Sequence, residues 1–265
     1  DAFGCAALLD AMASYDEKDS TSTKRDNINF EKSLSKDFGS LNIGVIKNIE
    51  KLGISEDVIN AYETSKTVLT GLGHKLIEVD FSELSSGICS YYVIAPAECS
   101  SNLSRFDGVK YGYRSEGEKD IANLYMNTRS DGFGDEVKKR ILIGTHVLSA
   151  GFYDAYYLQA QKVRRMIKVK FEDFFKDVDL IFMPTTLDQA FEKNRKSDDP
   201  NRMYKEDLLT IPANLAGLPA ISFPNGFKNN LPIGGQLIGK YFGEDLLLNT
   251  TNKIQEVTDW HKMTP

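Results

Sequence analysis

Cysteine is scarce in this sequence, and the few cysteines are not arranged for a structural role. Cys5, Cys89 and Cys99 form no CxxC pair, and an odd number leaves one of them without a partner. This pattern argues against a disulfide framework and against a structural zinc site, and it fits a reducing compartment. Cys89 and Cys99 lie in apolar surroundings and are predicted to be core thiols.

The sequence also has few histidines, no long apolar run and no excess of positive charge. The three histidines are widely spaced without ligand-like partners, so no metal site is expected. No apolar run approaches the roughly 18–20 residues that a membrane span needs, so no membrane association is expected. The net charge of −6 excludes a chain that binds polyanions over its whole surface, although a local basic patch would be compatible with it.

The composition is otherwise that of an ordinary globular protein, with 41% hydrophobic and 26% charged residues. A length of 265 residues suits one large domain or two smaller ones. The first residue is Asp1, and helical spacing begins at once, without an initiator methionine. A processed N-terminus explains this start, and so does a chain that is the C-terminal part of a longer protein.

Hydrophobic periodicity predicts an α/β fold. A strand over 41–47, a helix over 55–72 and a strand over 75–80 follow one another, and this order is typical of a βαβ unit. The same criteria predict further helices at about 119–128, 134–148, 152–176, 204–216 and 244–258, and strands at about 180–183, 220–223 and 235–238. The sequence therefore predicts a sheet layered with helices.

The stretch 132–167 carries more cationic and tyrosine side chains than a core needs. Arg140 ends the run EVKKR, and Tyr153, Tyr156 and Tyr157 open the next predicted helix. A guanidinium fork near tyrosine hydroxyls suits a small molecule that bears a carboxylate. No nucleophile in a recognisable activating context accompanies these groups, either here or elsewhere in the chain.

Several stretches resemble a known family. NLAGLPAISFPNG (214–226), followed by LPIGGQLIG (231–239), resembles the C-terminal hallmark of the amidase-signature family. Three longer stretches, at 90–115, 132–167 and 203–224, resemble one branch of it, the A subunits of glutamyl-tRNA(Gln)/aspartyl-tRNA(Asn) amidotransferases. The resemblance covers essentially the whole chain, so chance is a poor explanation.

The resemblance implies a fold and a division of labour. The fold is α/β, with a mixed central sheet covered by helices on both faces, and residues 1–265 would be the C-terminal portion of a single amidase-signature domain. The family's Ser–cis-Ser–Lys triad lies upstream of the matching part, and this sequence has no GGSSGGS-like run. No catalytic residue is therefore assigned to this chain, which is expected to be inactive alone.

The resemblance also implies a function for the intact protein. It would hydrolyse glutamine and supply ammonia for the ATP-dependent amidation of a mischarged aminoacyl-tRNA. Its partners would be the B and C subunits, with tRNA reached only through a partner. No cofactor is expected in this chain, while ATP and Mg²⁺ are expected at the partner. The compartment would be the bacterial cytoplasm or an organelle matrix.

Three residues are predicted to bind substrate. Arg140 resembles the arginine that clamps the α-carboxylate of glutamine in this family. Without the resemblance, its sequence context favours a solvated cation on a helix surface. Asp207, in KEDLLTIP, would receive the α-ammonium, and the alternative is an acidic residue that favours a helix start. Tyr91 would donate its hydroxyl to a bound amide or carboxylate, and the alternative is a core aromatic. Lys138 and Lys139 are expected on a solvated helix face.

Two other functions stay open. One is a different amidase-signature hydrolase that acts on a free amide, which the stretches SSNLSRFDG and FGDEVKKR argue against. The other is a non-catalytic remnant that binds an amino acid or a partner without chemistry. The coding region upstream separates the cases, since a continuous frame with a lysine and a Gly/Ser-rich signature would indicate an enzyme.

Overall fold

A computed structural model describes residues 1–26, 28–117, 120–191 and 205–265. The chain divides into two compact units, which we name the sheet unit (1–85 and 167–265) and the helical unit (86–166). The prediction that residues 1–265 belong to one domain stays a prediction, because two compact units can belong to the same domain.

Among the described residues, the helices follow the order of the chain. They are α1 (Ala2–Met12), α2 (Phe30–Ser33), α3 (Glu56–Gly71), α4 (Gly87–Leu103), α5 (Ile121–Gly132), α6 (Asp135–Val147), α7 (Leu158–Asp177), α8 (Ile211–Ala216) and α9 (Glu244–Val257). Single turns of other helix types supplement them: 3₁₀ at Ile49–Leu52, Ser82–Ser86 and Trp260–Lys262, and π at Tyr153–Tyr157. The boundary between the two units falls inside α7.

Five strands form one sheet in the described part of the sheet unit. They are β1 (Asn42–Ile46), β2 (Lys75–Val79), β3 (Leu180–Pro184), β4 (Ala220–Lys228) and β5 (Leu231–Gly239). Their order is β2-β1-β3-β5-β4. β1 pairs in parallel with β2 and β3, while β5 pairs antiparallel with β3 and β4. The predicted mixed sheet is confirmed.

Local sequence explains both kinds of strand pairing. Helix α3 connects β1 to β2, as a parallel pair requires. β4 and β5 are joined by Asn229 and Asn230, whose φ angles are 53° and 61°. Two left-handed residues in a two-residue loop make the hairpin turn that asparagine favours. Both strands are longer than predicted because the hairpin continues past a bulge between Pro224 and Phe227.

Helices and turns pack against both faces of the sheet. On one face, the ring of Tyr62 in α3 stacks on Phe182 of β3 at 5.1 Å between centroids. Phe182 pairs with Leu237, so the neighbouring Gln236 projects from the opposite face. There its amide donates to the backbone oxygen of Leu209, in the segment that leads into α8. The prediction of a sheet covered on both faces is confirmed.

Two local predictions differ from the structure. The predicted helix over 204–216 begins outside the described residues, and 205–210 is mainly turn, with α8 starting only at Ile211. The backbone oxygen of Asp207 accepts from Ile211, which closes a single turn before the helix proper. Cys89 is exposed and Cys99 is half-buried, so the prediction of core thiols was wrong. Both lie on α4, where helical spacing turns them away from its buried side.

Among the described helices, none combines the length with the hydropathy that a membrane span requires.

Removing the Tyr62 hydroxyl is expected to destabilise the sheet unit. This hydroxyl accepts from the backbone N–H of Ile46 at 2.8 Å, and burial raises the pKa of Tyr62. Tyr62→Phe removes this buried hydrogen bond, which costs about 0.5–1.5 kcal/mol of unfolding free energy. Urea unfolding measures the loss. Tyr15→Phe, at a ring that is 49% exposed, is the control, and equal stability of both variants would contradict the prediction.

Stability is expected to fall as His74 takes up a proton. Its Nδ1 accepts from the backbone N–H of Leu41 at 3.2 Å, and partial burial lowers the pKa of His74. Below the unfolded value of about 6.5 the unfolded state binds more protons, so stability decreases as the pH falls toward the lowered folded value. Urea midpoints at pH 7.5 and pH 5 should differ less in His74→Asn than in the parent; identical differences would refute this.

Candidate functional site

Arg140 lies on α6, where the sequence itself restrains its side chain. Its Nε donates to Oε1 of Glu136, four residues earlier, at 3.1 Å. Residues four apart share one helix face, so this contact follows from the spacing in EVKKR. The Arg140 side chain is 33% exposed, which leaves part of the guanidinium accessible.

Tyr91 of α4 lies beside the same guanidinium. A side-chain hydrogen bond with Tyr91 is the largest cause that raises the pKa of Arg140, and the bond with Glu136 acts in the same direction. The Tyr91 ring also meets Tyr92 edge to face, with 5.1 Å between centroids. A tyrosine oxygen that accepts from arginine still carries a proton to donate. The pair therefore combines a fixed positive charge with a neutral donor.

The close crossing of α4 and α6 sets the separation of Tyr91 and Arg140. Gly144 faces α4, and a Cβ atom there would clash with the backbone oxygen of Pro96 and lie 2.6 Å from Cβ of Ser100. Only glycine allows such an approach. The hydroxyls of Ser100 and Thr145 lie 2.9 Å apart at the same crossing.

The neighbouring lysines make surface contacts with their own helix and with the end of α5. Lys138 Nζ lies 3.1 Å from an Asp135 carboxylate oxygen and donates to the backbone oxygen of Ser130. Lys139 lies 3.9 Å from Glu136, with more than half of its side chain exposed. These contacts agree with the predicted solvated helix face. Arg140 is the most buried of the three cations.

Asp207 lies in the sheet unit, in the turn that precedes α8. Its backbone oxygen accepts from the N–H groups of Thr210 and Ile211, at 3.2 Å and 3.0 Å. The residue is half-buried. The next two residues, Leu208 and Leu209, are buried and anchor the turn.

The structure thus brings two of the three predicted residues together. Arg140 and Tyr91 lie side by side in the helical unit, whereas Asp207 belongs to the sheet unit. Their roles toward a substrate stay predictions. Sequence reasoning missed Glu136, which the i, i+4 spacing to Arg140 would have indicated, and Gly144, for which the sequence carries no signal.

The arrangement around Arg140 suits a carboxylate. Glu136 holds the guanidinium by its Nε, at the inner end of the planar group. The terminal nitrogens of an arginine form the fork that matches two carboxylate oxygens. A carboxylate bound there would meet a permanent positive charge and a tyrosine donor.

Metal-ligating side chains are scattered in the described part of the chain, where no three or more His, Cys, Asp or Glu residues are grouped to hold a metal ion. A cavity of about 310 Å³ opens in the sheet unit between the polar segment 14–28 and Phe242. There the Arg25 guanidinium stacks on the Phe242 ring, 3.8 Å from its centroid. None of the three predicted site residues lines this cavity.

Known proteins match this chain over nearly its whole length. The family model described as Amidase matches residues 2–248. The A subunit of the glutamyl-tRNA(Gln) amidotransferase of Coxiella burnetii (strain Dugway 5J108-111) is 49% identical over 260 residues, which are 98% of this chain and 54% of that protein. Its counterpart in Hahella chejuensis is 50% identical over 260 residues, again 98% of this chain and 54% of that protein.

A solved structure matches in the same way. The crystal structure of the A subunit of the glutamyl-tRNA(Gln) amidotransferase from Thermotoga maritima aligns with a TM-score of 0.76 and 34% identity, covering 100% of this chain and 53% of that one. The chain therefore spans about half the length of the relatives it matches. The resemblance and the fold expected from the sequence are both confirmed.

Enlarging Gly144 is expected to force α4 and α6 apart. Gly144→Ala places a methyl group against the backbone of α4, and such overpacking costs about 1–3 kcal/mol, more than the gain in helix propensity. Gly71→Ala is the control, because the space around that helical glycine is open. Thermal unfolding compares the two variants. A Gly144 variant that melts like the Gly71 variant would show that the crossing tolerates a side chain.

Proposed function

The chain belongs to the amidase family, and from this premise we propose that the whole protein containing it is the glutaminase subunit of a tRNA-dependent amidotransferase. The observation that carries the proposal is the sequence identity of 49% and 50% to two A subunits over 98% of the chain. In enzyme terms this is the A subunit of a glutamine-hydrolysing glutaminyl-tRNA synthase.

The proposed reaction supplies ammonia to a second active site. Glutamine is hydrolysed to glutamate and ammonia, and a partner uses the ammonia on an ATP-activated aminoacyl-tRNA. Glu-tRNA(Gln) becomes Gln-tRNA(Gln), Asp-tRNA(Asn) becomes Asn-tRNA(Asn), or both reactions occur. The partners are the B and C subunits, with ATP and Mg²⁺ at the partner and no cofactor in this chain.

The proposed hydrolysis follows an acyl-enzyme route. A serine attacks the side-chain amide carbon of glutamine, ammonia leaves, and water releases glutamate from the ester. A second serine and a lysine move the protons. We assign none of these three residues to the present chain, which we propose to be inactive alone.

We assign substrate recognition to the present chain. Arg140 clamps the α-carboxylate of glutamine: Glu136 accepts from its Nε, Tyr91 accepts from one further N–H, and the remaining terminal N–H groups donate to the carboxylate. Tyr91 donates its proton to the same carboxylate or to the amide. Asp207 receives the α-ammonium. The contact between Arg140 and Tyr91 supports the first two assignments.

The proposal is tested with the complete protein and its partner subunits. Ammonia release from glutamine and formation of Gln-tRNA(Gln) from Glu-tRNA(Gln) should both depend on the assembled complex. Hydrolysis of simple amides without any effect of the partners would favour the free-amide hydrolase instead. Glutamine binding with no ammonia release would favour the non-catalytic remnant.

Arg140→Lys is expected to weaken the use of glutamine while folding stays intact. An ammonium cannot reproduce a two-point clamp, and a lost hydrogen bond to a charged group is worth about 1.5–3 kcal/mol, or roughly 10- to 100-fold in kcat/KM. Steady-state kinetics at varied glutamine measures the change, and Lys139→Arg on the exposed side of α6 is the control. Unchanged KM and kcat would contradict the role of Arg140 in binding the α-carboxylate.

A further inference from the structure

Gln236 is a polar side chain in the middle of the sheet. It is 4% exposed and lies on β5, paired with Met183 on one side and Ser222 on the other. Its amide nitrogen donates to the backbone oxygens of Leu209, at 2.8 Å, and Pro184, at 3.2 Å. Burying an amide in an apolar layer is unfavourable unless its hydrogen bonds are made, so these two bonds are what allow Gln236 to occupy this position.

The two acceptors belong to segments that are far apart in sequence. Pro184 ends β3, and Leu209 lies in the turn before α8. Both N–H groups of one amide therefore fasten that turn to the carboxyl end of the central strand. The shorter of the two bonds joins Leu209 directly to the sheet.

The fastened turn is the one that carries Asp207. The backbone oxygen of Asp207 accepts from Thr210 and Ile211, and Leu209 lies between donor and acceptor. Holding the Leu209 carbonyl therefore fixes the backbone from which the Asp207 carboxylate projects. An aspartate has only two side-chain torsions, so its carboxylate follows the backbone closely.

We propose that Gln236 is a positioning residue for the Asp207 carboxylate, and that it thereby sets recognition of the substrate's α-ammonium group. The inference rests on the proposed function, which gives Asp207 its ligand. Gln236 itself touches no substrate in this arrangement. Its two donors hold the turn in the geometry that a charged amine requires, since small misplacements of a charged group are costly.

The test uses Gln236→Met in the complete amidotransferase. Methionine keeps the volume and removes both donors, so the backbone oxygen of Leu209 loses its bond to β5 while the layer stays filled. Misplacing the Asp207 carboxylate weakens one charged hydrogen bond to the substrate, so KM for glutamine should rise on the order of ten-fold, with kcat within about two-fold of the parent. In an Asp207→Asn background the same change should raise KM no further, because the group it positions is already neutralised.

Asn249 offers a matched control. Its amide is also 4% exposed and donates to the backbone oxygens of Ser33, Leu34 and Lys36, which belong to the α2 region. Asn249→Leu should lower the melting temperature as Gln236→Met does, yet leave KM for glutamine unchanged. Hydrogen exchange of the amides at 208–211 should accelerate in Gln236→Met and not in Asn249→Leu. If Gln236→Met does not fold, Gln236→Asn, whose amide is too short to reach both oxygens, takes its place.

The outcomes separate the inference from the proposed function. An unchanged KM in the Gln236 variant overturns the inference, and so does an equal rise in KM in the Asp207→Asn background. If Asp207→Asn alone leaves KM unchanged, the role of Asp207 is wrong and the inference falls with it. If Asp207→Asn raises KM while the Gln236 variant does not, only the inference fails.

Discussion

The central strand β3 has no residue that is appreciably exposed to water, and this constraint organises the sheet unit. A strand buried on both faces and along both edges must pair on each side and pack above and below. Here it pairs with β1 in parallel and with β5 antiparallel, so the sheet changes from parallel to antiparallel at β3. Phe182 meets Tyr62 on one face, and Gln236, paired with Met183, reaches the turn before α8 on the other.

The helical unit depends on a different constraint, the missing side chain at Gly144. Apolar burial holds most helix pairs at a distance set by their side chains, but here the backbone of α4 nearly touches that of α6. This approach brings the two helices that carry Tyr91 and Arg140 close together, and the two side chains are in contact. Within its own unit, each predicted residue stands on a rigid element: Arg140 on a helix, and Asp207 on a turn anchored by buried leucines.

Sequence periodicity predicted the regular elements well and the site only partly. β1, α3 and β2 begin and end within a residue or so of the prediction, because alternation and helical spacing are unambiguous there. The segment 205–210 was predicted as helix, since its apolar spacing suits either a helix or a turn held by tertiary contacts. Cys89 was misplaced because an apolar neighbourhood in sequence does not say which side of a helix a residue occupies.

The residues around the site were harder to find for a physical reason. The bond between Arg140 and Glu136 is local and follows from their spacing, but the contact with Tyr91 joins residues of different helices. The sequence is misleading at Gln236, because one polar residue in a strand normally indicates the solvent face of the sheet. Only the paired strands on both sides of it reveal that it is buried.

The hydrogen bond from Arg140 Nε to Glu136 has a consequence for the entropy of binding. A free arginine side chain samples many rotamers, and immobilising a flexible side chain at a binding site costs about 0.5–1.5 kcal/mol. In this chain much of that rotamer freedom is already lost on folding, because Arg140 Nε lies 3.1 Å from Oε1 of Glu136 on the same helix. An anion that reaches it meets a receptor that has little disorder left to lose, which corresponds to a gain of up to roughly ten-fold in affinity without a single additional contact.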